Sequence, residues 1–81
     1  MNYFVQIGDD NKIIQAIVIA EADCGNKDYP LSEQLGKEFI EQLGLTGTWL
    51  QTSLDDSFRG RYASVGMYYN AVDDVFYEKP E

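Results

Sequence analysis

Leu31-Ser32-Glu33-Gln34-Leu35-Gly36-Lys37-Glu38-Phe39-Ile40-Glu41-Gln42-Leu43 is the stretch that decides the fold, because its period differs from everything around it. Leu31, Leu35, Phe39, Ile40 and Leu43 recur at three- and four-residue spacings, and Glu33, Gln34, Lys37, Glu38, Glu41 and Gln42 fill the opposite face. That pattern predicts an amphipathic helix over residues 31–43. Pro30 or Ser32 can open it, Gly44 can close it in a left-handed cap, and Leu45 can fold back on the last turn. Gly36 lies inside the helix, where glycine costs about 1 kcal/mol relative to alanine, so a close neighbour is expected there.

Upstream, residues 1–20 predict a β-hairpin. Asn2 to Ile7 is rich in aromatic and β-branched residues, and Gly8-Asp9-Asp10-Asn11 supplies a tight turn. Lys12 to Ala20 then carries Ile13, Ile14, Ile17, Val18 and Ile19 on both faces, the pattern expected of a central strand. Residues 21–30 have no apolar period and are expected to be a loop. Downstream, residues 47–81 predict a β-rich module. Thr48 to Leu54 alternates as a third strand, and Val65–Tyr69 and Val75–Tyr77 flank a short hairpin loop at Asn70 to Asp74. The order ββαβββ makes residues 1–81 a single α+β domain: a small antiparallel sheet of four to five strands with one amphipathic helix packed on one face. Trp49, Phe39, Ile17 and Val65 are the expected structural core.

Fourteen acidic and six basic residues give a formal net charge of -8, which argues against nucleic-acid and anionic-membrane partners. Solubility is the ordinary account of such a charge; occupation of another protein's basic groove is the sharper one. Cys24 is the single cysteine and has no second thiol or histidine to share a metal, so neither an internal disulfide nor a metal site is expected, and a reducing compartment suits it. The longest apolar stretch, Ala16 to Ala20, is too short to span a bilayer. These features lead to the expectation of neither a secreted precursor nor a membrane protein.

The chain contains no histidine, so the commonest general base is missing. Asp55-Asp56 and Asp73-Asp74 are adjacent, a poor arrangement for two carboxylates flanking one bond and a good one for turns. Ser53, Ser57 and Ser64 have no histidine partner, and the glycines form no phosphate-binding loop. No catalytic residue, cofactor or metal is expected.

What the second half does hold is the only Trp, both Arg and four of the six Tyr, residue types enriched where proteins meet proteins. Phe58, Arg59, Arg61, Tyr62, Tyr68 and Tyr77 are therefore the candidate contact residues. The competing account makes Tyr62 and one of Tyr68 and Tyr69 half-buried sheet residues, with an arginine paired to Asp55 or Asp56.

Trp49-Leu50-Gln51-Thr52-Ser53, then Arg59-Gly60-Arg61-Tyr62-Ala63-Ser64-Val65-Gly66, then Tyr68 or Tyr69 followed by Asp74-Val75-Phe76, resembles a module of small proteins of tailed bacteriophages, especially cyanophages. Its usual form is W-[IVL]-Q-T-S, a variable loop, R-K-x-Y-A-G-[IV]-G-x-x-Y and D-x-F, with a proline-rich tail. Tyr3 to Ile7 and Ile17 to Ala20 are similar to the common beginning of those proteins. Here Gly60-Arg61 and Ser64 depart from the pattern, and Lys79-Pro80-Glu81 stands in place of the longer tail. The resemblance implies a phage origin and a place at the tail, neck or capsid surface. The expected role is a non-enzymatic virion component that binds other phage proteins or itself, in the virion or the host cytoplasm. The alternative is a small acidic protein that binds and modulates a host enzyme.

Overall fold

A computed structural model describes residues 1–53, 55, 57–60 and 62–78. Its elements are β1 (Asn2–Ile7), β2 (Ile13–Ile19), a 3-10 turn (Glu21–Cys24), α1 (Leu31–Gln42), β3 (Thr48–Thr52), β4 (Tyr68–Asn70) and β5 (Val75–Tyr77). The domain is a small α+β fold with one α-helix and antiparallel strands. The strands form two sheets: β2-β1-β3 and β4-β5. Leu54, the expected end of the third strand, and Arg61, an expected contact residue, lie outside the described residues.

The second strand was expected at the centre of the sheet; β1 occupies that place and β2 is an edge. The reason is visible in β1, where the consecutive residues Phe4 and Val5 are both buried and so face opposite layers. Phe4 joins Ile19, Cys24, Ile40 and Trp49 under the helix. Val5 joins Ile13, Leu50, Ala63, Met67 and Phe76 under the β4–β5 hairpin and the segment leading into it. The sheet is thus covered on two sides, by α1 and by the hairpin. Each fully buried aliphatic or aromatic side chain of this kind contributes about 1.5–3 kcal/mol.

A register shift beside Ile7 explains the double-faced apolar pattern of β2. Val5 pairs with Ala16 and Gln6 with Gln15, but Ile7 pairs with Ile13, so one extra residue is accommodated there. The shift turns Ile13 into the hairpin-side core, while Ile17 and Ile19 serve the helix side. Ile14 and Val18 remain 52% and 53% exposed. Beyond this point the ladder of β1 continues on its other side with β3, from Tyr3–Thr52 to Ile7–Thr48.

The helix lies against β1 because Gly36 has no side chain. A Cβ there would sit 2.2 Å from Cζ of Phe4. At the C-terminal end, Leu45 N–H bonds to Ile40 O and Gly44 N–H to Glu41 O, with Gly44 at φ +84°. This is a Schellman closure, in which glycine takes the left-handed backbone without steric cost. At the other end Pro30 occupies the cap position, and the Ser32 hydroxyl is used elsewhere, donating to Gln51 Oε1 at 2.7 Å.

β4 begins at Tyr68 rather than Val65. Val65 and Gly66 form a turn instead, and Met67 O accepts from Ile13 N–H while Gly66 N–H donates to Ile13 O. Val65, expected in the core, is 62% exposed, because that turn directs it outward and leaves Ala63 and Met67 to fill the layer. Trp49 is buried, and Phe39 and Ile17 are half-buried against the same cluster.

Candidate interaction surface

Arg59 was expected as a contact residue; its side chain is only 8% exposed. A left-handed backbone at Arg59 (φ 57°) and a bond from Phe76 N–H to Arg59 O turn the chain inward. The guanidinium meets both Glu33 oxygens, Nη1 contacting Oε1 and Nη2 donating to Oε2 at 3.2 Å. Nη1 also donates to Gln51 O at 2.9 Å, and Nε donates to Asp74 Oδ1 at 2.8 Å. Asp74 in turn accepts from the Tyr69 hydroxyl at 2.5 Å. An arginine was expected to pair with Asp55 or Asp56; Arg59 pairs with Glu33 and Asp74 instead of Asp55, and Asp56 lies outside the described residues. Asp55 is instead taken up by the hydroxyl of Ser53 and by Ser57 N–H.

The electrostatics of this hub follow from its contacts. Burial works against the charge on Arg59, but hydrogen bonds to Glu33 and Asp74 outweigh it and raise its pKa above the ordinary value. Burial also opposes ionisation of Asp74; the Tyr69 and Arg59 hydrogen bonds, with the Arg59 charge, prevail and hold its carboxyl below the usual range. Tyr69 is pushed up to about 12, first by burial and then by its bond to Asp74. Tyr29 is raised mainly by burial. Asp55 is lowered by its bonds from Ser53 and Ser57.

Aromatic rings surround the hub. The guanidinium carbon lies 5.4 Å from the Tyr29 ring centre and 6.0 Å from that of Tyr69. Phe58 stacks on Tyr29 with ring centres 3.7 Å apart and planes at 6°, so this candidate contact residue is half engaged within the domain. Tyr62 meets Tyr3 edge-on at 6.0 Å, and Tyr68 and Tyr77 face each other across β4 and β5 at 6.0 Å. Of the five candidates among the described residues, only Tyr77 falls among the exposed large apolar side chains, at 38%.

Sequence reasoning overlooked the surface that is open. Ile14 and Val18 stand on one face of β2, with exposed Ala16 between them. Beside them Tyr3, Ala16, Val18, Thr52 and Tyr62 line an apolar notch of about 100 Å³. The signal for it is the uncharged run Ile13 to Ala20, a pattern that two-sided burial produces equally well. A larger, polar cleft of about 490 Å³ lies near Asn2, Asp28, Tyr29, Gln51 and Phe58. The Asn2 amide nitrogen there is buried and has no hydrogen-bond partner among the described residues.

Among the described residues no three His, Cys, Asp or Glu side chains converge as a metal site, and no helix is long and apolar enough to cross a membrane. Comparison with protein families, with curated proteins and with solved structures finds no match to the chain.

Proposed function

We propose that this chain is a non-enzymatic bacteriophage protein that acts as an accessory component of the virion through protein–protein contacts. The observation that carries the reading is the division of its side chains. Arg59, Glu33, Asp74 and Tyr69, the groups with the most chemical potential, are spent on one another. Ile14, Val18, Val65 and Val72, which have no use inside the fold, are turned outward. Outward apolar groups on a small domain are the currency of association rather than catalysis. The phage setting is supported by the resemblance of the Trp49–Ser53 and Arg59–Gly66 segments. Mass spectrometry of purified particles tests it: the chain is expected among the virion proteins, and its absence from intact particles rejects the assignment.

The second reading, a regulator of a host enzyme, is favoured by the acids that stay exposed, among them Asp9, Asp10, Asp23, Glu38 and Glu41. Pull-down from host lysate at low salt tests it, and recovery of no host enzyme rejects it.

A further inference from the structure

The two edges of the three-stranded sheet are treated differently. On β3 the outer backbone groups of Gln51 are occupied, its N–H by Glu33 Oε1 at 2.8 Å and its C=O by Arg59 Nη1. On β2 the chain beside Ile13 is occupied by Gly66 and Met67. From Ile14 to Ile19, among the described residues, β2 pairs with β1 alone. That open edge contains no charge and no proline, the devices by which edges are normally kept from pairing.

We infer that the free edge of β2 is the interface of a two-fold dimer, in which β2 of one copy pairs antiparallel with β2 of a second. The sequence is self-complementary for this. The open edge Ile14–Ile19, together with the extended Ala20 that follows it, is centred on Ile17, and antiparallel pairing about that residue sets Ile17 opposite Ile17. It also sets Ile14 opposite Ala20 and Val18 opposite Ala16, so each large exposed side chain meets a small one on the same face. A register centred on Ala16 instead would drive the second strand into the Gly66–Met67 segment. Charge agrees: the paired stretch brings no like charges together. The interface deepens the contact role proposed above but does not depend on a phage setting.

Seven residues of edge span about 24 Å, which gives a contact below the size of stable obligate interfaces and so a weak, reversible dimer. Because Glu33 and Arg59 close the far edge, association stops at two copies and yields a six-stranded sheet.

Sedimentation equilibrium over about 10 μM to 1 mM tests this, a range suited to a contact of this size. The average mass of the intact chain is expected to climb towards twice the monomer and no further. Val18→Lys and Ala16→Lys, at exposed positions, weaken association at least about tenfold while circular dichroism and melting stay near the parent's. Val72→Lys, 93% exposed in the β4–β5 turn, leaves it unchanged. A monomer across the whole range overturns the proposal. So does a dimer indifferent to Val18→Lys and Ala16→Lys, growth past two copies, or capture of a different protein by this edge from a chain that stays monomeric alone. Presence or absence in purified particles bears on the virion assignment and leaves this result untouched.

Discussion

Arg59 and Glu33, 26 residues apart, together do the work of a missing strand: the carboxylate takes the N–H of Gln51 and the guanidinium its C=O. Removing one partner leaves the other in a nearly dry site and orphans a backbone group. Arg59→Ala is therefore expected to cost about 3–5 kcal/mol in urea unfolding, a large part of the stability of so small a domain. The pair Arg59→Met with Glu33→Leu is expected to recover a good share of that loss, since no buried charge then lacks its partner. A double change that costs the sum of the Arg59→Met and Glu33→Leu single changes would argue against coupling.

Helix propensity and packing make opposite forecasts at Gly36. Alanine gains about 1 kcal/mol in an exposed helix, but here its methyl lands on the Phe4 ring. Packing wins, and Gly36→Ala is expected to destabilise by about 1–3 kcal/mol. Adding Phe4→Leu to Gly36→Ala relieves the clash, so the second change should be far less damaging there than in the parent. Thermal melts of the four proteins check it.

Tyr69 gives the fold a alkaline limit. Its folded pKa of about 12 lies above the unfolded value near 10, so the phenol stabilises the native state fully below pH 10 and stops doing so as pH rises through 12. Absorbance titration at tyrosinate wavelengths should show a phenol titrating near pH 12 that is lost in Tyr69→Phe. Asp74 runs the other way: its carboxyl is held below the usual range, so its contribution is present above that range and fades as pH falls through the depressed value.

Val65 and Trp49 separate core from surface. Val65→Thr is expected to change stability by less than about 0.5 kcal/mol, because the side chain is 62% exposed. Trp49→Ala, at 5% exposure and with its indole N–H bonded to Thr46 O, is expected to cost about 3–5 kcal/mol. Urea titrations of both, read by tyrosine fluorescence, check the contrast.

The helix was legible because a 3.6-residue period over twelve residues has few rivals, and Gly36 and Gly44 announced themselves as breaks in it. The hairpin of β1 and β2 was legible from its turn. The position of β2 was not: a register shift that sends Ile13 to one core and Ile17 to the other writes the same apolar pattern as two-sided burial. The fate of Arg59 was hidden for another reason. Asp55 is near in sequence, whereas Glu33 is reached only once α1 lies on the sheet and Asp74 only once β5 returns beside residue 59. Long-range charge pairing follows topology, and spacing along the chain does not reveal it.

Cys24, fully buried between Phe4, Ile19, Ile40 and Trp49, is the chain's single thiol. A modifying reagent can reach it only when the helix layer lifts from the sheet. The domain therefore carries its own clock: the rate of thiol labelling counts these openings in the unmodified protein, without any introduced probe.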